Sequence, residues 1–202
     1  MKNIFTLLLS LFFVNISISQ EIFKMKIERG TQNEELRQIL NFENIYIDKF
    51  KFVGKGLIGK NYEILIIEFK NGKIVSNTVL FESSELDLFR IKNKKFSFKL
   101  LSKFINKTKL KIAFDLGFGS KTLFFDLIDT KFEYIMKDFL ESKREVVLPL
   151  EKDFYLTSII SPTMHEDGSA SYCEVVSTKN PEKIGEEYKI PHYFLITMKF
   201  KD

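Results

Sequence analysis

The sequence predicts an α+β protein built on antiparallel β-sheet, with roughly nine strands and two or three helices. Three observations lead there. Apolar and polar residues alternate in segment after segment, an Asn-Gly pair joins two apolar runs, and only two stretches carry a clear helical period. A β-sandwich with peripheral helices is the alternative reading of the same signals.

The first element is not part of that fold. MKNIFTLLLSLFFVNISIS, residues 1–19, has Lys2, an apolar run from Ile4 to Val14, and Ser17 and Ser19 at small-x-small spacing. That is the pattern of a secretory signal. The run is shorter than the roughly 20 apolar residues a membrane span needs, and Asn15 interrupts it. Cleavage after Ser19 leaves residues 20–202 as one exported domain, periplasmic or secreted. The single cysteine, Cys173, lies far from the signal, so neither a lipid anchor nor a span in the mature chain is expected. One cysteine also rules out an intramolecular disulfide, so stability must come from a core rich in the 22 phenylalanines.

The strands follow in chain order. EIFKMKI sets Phe23, Met25 and Ile27 against Ile22, Lys24 and Lys26. NYEILIIEFKNGKIVSNTVLF reads as a hairpin closed by Asn71-Gly72, which suits a type I′ turn. KLKIAFDL alternates lysines with Leu110, Ile112 and Phe114, and GFGSK leads from it into TLFFDLI. REVVLPL, FYLTSIIS, SASYCEVVS and HYFLITMKF complete the strand set. The helices are TQNEELRQIL, where Thr31 and Glu34 have capping-box spacing, and TKFEYIMKDFLESK. In the latter, Phe132, Ile135, Met136, Phe139 and Leu140 fall on one helical stripe. FSFKLLSKFINK fits either period.

Motifs with a chemical meaning mostly fail on context. GKGLIG (Gly54, Gly56, Gly59) matches the glycine pattern of a dinucleotide turn, but a strand-like segment follows it where a helix is required, so a loop or bulge is expected. GFGSKT (residues 117–122) lacks phosphate-loop spacing and reads as a turn. No G-x-S-x-G elbow is present. SPTMHEDGSASYCEV (residues 161–175) gathers His165, Glu166, Asp167 and Cys173; with His192 folded back, it is the best place for a thiol–histidine pair or a metal site. Its Pro, Asp and Gly make a hairpin turn the simpler reading, with Cys173 as a small buried side chain.

Charge is polarised. Residues 21–110 carry 18 basic and 11 acidic side chains, residues 111–202 carry 12 and 16, and Arg90 to Lys111 holds nine basic residues without an acid. Alternation puts Lys95, Lys99, Lys103 and Lys107 forward as a basic face, whose simpler reading is the solvated side of alternating strands and whose sharper one is a binding patch. In an exported protein its partner is expected to be an anionic surface, an acidic glycan or a protein, not nucleic acid. The sequence thus points to a non-catalytic binding protein of the cell envelope without metal or cofactor. The competing reading is a secreted hydrolase with active-site residues scattered along the chain.

Overall fold

The computed structural model describes residues 21–128, 133–140, 143, 145–172 and 180–202. Antiparallel strands dominate it, and few helices accompany them. A six-stranded sheet runs in the order β7 (Ser120–Asp126), β6 (Lys109–Asp115), β5 (Lys95–Asn106), β2 (Ile45–Val53), β1 (Ile22–Arg29), β9 (Val146–Pro149). A five-stranded sheet runs β4 (Lys73–Glu82), β3 (Asn61–Lys70), β13 (His192–Lys201), β10 (Phe154–Ile160), β8 (Ile135–Lys137). A small hairpin pairs β11 (Thr163–Met164) with β12 (Ala170–Ser171). The helices are α1 (Glu34–Phe42) and the one-turn α2 (Ile184–Glu187).

The two large sheets pack face to face around the phenylalanines. Phe23 and Phe52 of one sheet meet Phe154 of the other with ring centroids 5.1 and 6.1 Å apart, Phe81 meets Phe114 at 4.5 Å, and Phe125 meets Phe194 at 5.4 Å. Tilted and edge-on pairs of this kind add about 0.5–1.5 kcal/mol each beyond the apolar area they bury. This is the sandwich arrangement; among the described residues its two sheets hold eleven strands, and the β11–β12 hairpin brings the total to thirteen where the sequence suggested about nine.

The outer faces differ. In β1, β2, β5 and β6 buried side chains alternate with outward ones, nine of which are lysine, so one side of the six-stranded sheet remains open to water. In β10 and β13 both sides are buried. Tyr193, Leu195 and Ile160 lie on the outer side with Phe69, where Ile184 and Ile190 from the α2 region cover them in a second cluster. The Asn-Gly hairpin forms as expected: Lys70 pairs with Lys73, and Asn71 and Gly72 have φ of 50° and 74°. GKGLIG is a single 3₁₀ turn ahead of β3. A side chain at Gly54 would come within 2.9 Å of Phe23 Cβ, so β1 requires glycine there.

Two helical expectations need correction. α1 forms, but its cap is Asn33, whose side chain accepts from Leu36 N; Thr31 instead accepts from Asn33 N. Only Leu40 of its apolar residues is buried, while Ile39 is 58% and Phe42 85% exposed. TKFEYIMKDFLESK is not helical where it is described: Ile135–Lys137 is the edge strand β8, paired to β10, and Thr130 and Phe132 lie outside the described residues. Its apolar side chains divide between two cores, with Tyr134 and Leu140 in the main cluster and Ile135 and Phe139 in the second. A short strand buried on both sides can mimic a 3.6-residue stripe. The ambiguous FSFKLLSKFINK is strand from Phe96 to Asn106, as part of β5, and its last residue, Lys107, turns toward β6.

Candidate functional site

Strand register assembles the basic face. Antiparallel partners share a side of the sheet, so the pairings Lys26↔Lys51, Lys49↔Lys99 and Lys103↔Lys111 align lysines from four strands. Lys24, Lys95 and Lys109 extend the rows. Of the residues put forward from sequence, Lys95, Lys99 and Lys103 lie together on this face, while Lys107 sits in the β5–β6 turn. The face is not uniformly cationic. Glu28 holds Lys51 at 2.5 Å and Lys26 at 3.2 Å, and those two hydrogen bonds keep its carboxyl below the usual range. Glu145 holds Lys24 at 2.8 Å, Glu43 holds Lys103 at 2.7 Å, Asp115 lies 3.7 Å from Lys99, and Asp126 pairs with Lys109. Among the described residues, Lys49, Lys95 and Lys111 have no such carboxylate.

A second site lies at one end of the sandwich, where α1 rests on β2. There an open cavity of about 270 Å³ is lined by the ends of β1 and β2, by α1 and by β8 with the residue that follows it. Leu40, Ile45 and Met136 form apolar wall; Arg29, Arg37, Tyr46, Asp48 and Asp138 bring the polar groups. Asp48 shares the inward parity of Phe50 and Phe52, so the alternation that builds the core also buries a carboxyl. Burial pushes its pKa up to about 6, with the Arg29 charge opposing. Arg29 Nε stands 4.0 Å from Asp48, and the Arg29 guanidinium pairs with Asp138.

A third polar group is fully enclosed. His192, at the start of β13, is 0% exposed, with Nδ1 2.7 Å from the Tyr134 hydroxyl and Nε2 3.0 Å from Glu68 Oε1. Glu68 also takes Lys70 at 2.8 Å and the Ser76 hydroxyl at 3.0 Å. Burial opposes ionisation of Glu68, but the hydrogen bonds from Lys70, His192 and Ser76 outweigh it and hold the pKa below the usual range. Burial lowers the His192 pKa against the pull of Glu68, so the ring is neutral: Nε2–H donates to Glu68 and Nδ1 accepts from Tyr134.

The thiol and metal candidates therefore separate. Both ring nitrogens of His192 are occupied, which leaves neither for a metal or a thiol. His165 Nε2 faces the Ser171 hydroxyl at 3.0 Å within the β11–β12 hairpin, the turn expected for that stretch. Asp167 is spent on Ser169 N at 2.9 Å and on its hydroxyl at 2.6 Å. Among the described residues no three His, Cys, Asp or Glu side chains gather as a metal-holding group, and Cys173 lies outside those residues.

Sequence reasoning missed Asp48, Arg29, Arg37, Tyr46, Asp138, Glu68 and Tyr134. For Asp48 a signal was present: in IYIDKFKFV the residues Tyr46, Asp48, Phe50 and Phe52 share parity, which places an acid on the apolar side of a strand. Comparison with protein-family models, with curated proteins and with solved structures finds no match for the chain.

Proposed function

We propose that the chain is an exported, non-catalytic binding protein of the bacterial envelope, periplasmic or secreted, and that its partner is an acidic polysaccharide held on the open face of the six-stranded sheet. The export half rests on residues 1–19 alone. The binding half rests on one observation: register collects nine lysines from four strands on the outer face of the sheet, with five described carboxylates among them.

Strands lie about 4.8 Å apart and alternate residues about 6.6 Å along a strand, so the lysines form a lattice with nearly saccharide spacing. Several such contacts hold a polyanion even though each exposed ion pair contributes only about 0–1 kcal/mol. Interspersed acids make the face selective for spaced charges over a uniformly dense one.

The test is retention on an immobilised acidic polysaccharide, polygalacturonate, for the wild-type chain and for Lys49→Glu/Lys95→Glu/Lys111→Glu. Among the described residues these three lysines have no carboxylate partner, so reversing them strands no described acid. Retention should fall at least about tenfold in the triple variant and weaken steeply between about 50 and 300 mM salt. Equal retention rejects the face; retention only on vesicles carrying anionic lipid moves the partner to a membrane surface.

The hydrolase alternative has one point of support. Asp48 and Asp138 bring two carboxyl groups into one cavity, and Asp48 has a raised pKa of the kind acid catalysts need. The described lining holds no Ser, Cys or His, so such chemistry would depend on that pair.

A further inference from the structure

The cavity under α1 is a separate matter from the lysine face. Its volume of about 270 Å³ lies near the lower end of the roughly 300–1,000 Å³ typical of small-molecule sites. It suits a ligand of about ten non-hydrogen atoms, too small for a peptide or a sugar chain.

Its four charged side chains are not equivalent. Arg29 and Asp138 satisfy each other. Asp48 has a side chain only 8% exposed, yet among the described residues its carboxylate accepts no hydrogen bond, because Arg29 Nε at 4.0 Å is out of reach. A buried carboxylate without donors is unfavourable unless something supplies them. Arg37 lines the same cavity from α1 and, among the described residues, has no carboxylate partner. What remains, among the described residues, is one buried acid lacking donors and one exposed cation lacking a carboxylate partner, beside an apolar wall of Leu40, Ile45 and Met136.

We propose that this cavity binds a free α-amino acid with an uncharged side chain: its ammonium on Asp48, its carboxylate on Arg37, and its side chain against Leu40, Ile45 and Met136. A zwitterion leaves the net charge of the cavity unchanged while satisfying both unmatched groups. Charge-assisted hydrogen bonds at both ends provide the selectivity. The ammonium needs the ionised form of Asp48, so binding strengthens as pH rises through about 6. The other groups facing Asp48 are Arg29 from β1, Arg37 from α1, Tyr46 from β2 and Asp138 beyond β8. Both arginines stay charged, burial raises the Tyr46 pKa, and Asp138 stays in its pair with Arg29.

Thermal unfolding of the full chain with each of the twenty proteinogenic L-amino acids, at about 10 mM, is the primary test. At least one uncharged amino acid should raise the midpoint, and calorimetric titration at pH 7.5 then gives its affinity. Its α-amide, which lacks the carboxylate, and its deamino acid, which lacks the ammonium, should each bind at least about tenfold more weakly. Arg37→Gln, on the exposed side of α1, should weaken the amino acid by the same factor and leave the amide unaffected. Asp48→Asn should abolish binding of both at pH 5 and at pH 7.5 alike, whereas the wild type loses affinity only below about pH 6. No stabilising amino acid, an amide that binds as tightly as the acid, or an Asp48→Asn chain that binds like the wild type would each overturn the proposal. Arg37→Gln keeps it testable should Asp48→Asn not fold.

Discussion

Asp48 and His192 are buried in the same sandwich and are treated in opposite ways. His192 is enclosed by partners that match its neutral form: a hydroxyl to donate to Nδ1 and a carboxylate to accept from Nε2. Asp48 is buried on the wall of a part-apolar cavity, and among the described residues the cation it pairs with, Arg29, stands 4.0 Å away, beyond hydrogen-bond reach. Burial alone is therefore no mark of function, because a satisfied buried group is structural until shown otherwise. The buried group left without donors, on the wall of a cavity, is the one that invites a ligand. The distinction also has a sign that pH can read.

Removing the satisfied group should have the largest effect. His192→Ala leaves a cavity and strips Glu68 and Tyr134 of a partner each, and chemical denaturation at pH 7.5 should find it about 3–5 kcal/mol less stable. A loss under about 1 kcal/mol would mean that the hydrogen-bond chain is incidental. Asp48→Asn should do the reverse. Folding raises this carboxyl from its ordinary 3.8 to about 6, so the wild type pays nothing for it below pH 4. Stability then falls as pH rises from 4 to 6, and is level beyond. The variant should match the wild type near pH 4 and exceed it by up to about 3 kcal/mol above pH 6.5. His192 and Glu68, both lowered, lose stability in the other direction: as pH drops below 6.5 for the imidazole and below 4.5 for the carboxyl. A wild-type profile without these opposing limbs would show that the two sites do not differ as described.

How much of this was legible in the sequence depends on whether the cause was local. The Asn71-Gly72 hairpin, the Gly54 loop and the Lys95-Lys99-Lys103 alternation follow from residues within a few positions of one another, and all appear. The lysine face as a whole could not be read, because Lys24, Lys26, Lys49 and Lys51 join it only through strand pairing across the chain. The β8 segment misled because its side chains face two cores, and periodicity assumes one. Asp48 was readable by parity, whereas its cavity was not: Arg37 and Asp138 reach it from α1 and from a segment some ninety residues away. Tyr134 and Glu68 likewise meet His192 only in the folded sandwich.

The same contrast between satisfied and open surfaces separates the two outer faces. The five-stranded sheet is covered on its outside by Ile184 and Ile190 over Phe69 and Tyr193, whose rings stack at 4.5 Å. The six-stranded sheet presents lysines there. Ile184→Ala should lower stability by about 2 kcal/mol or more, since it removes fully buried methyl groups. Lys95→Gln on the other face should change it by less than about 0.5 kcal/mol, because that side chain is exposed and has no carboxylate partner among the described residues. Equal losses would mean that the lysine face is itself packed against something in solution, and the wild type should then sediment as an assembly. Unequal losses leave Lys95 free of structural duty, so any effect of its reversal on polyanion retention belongs to binding and not to folding.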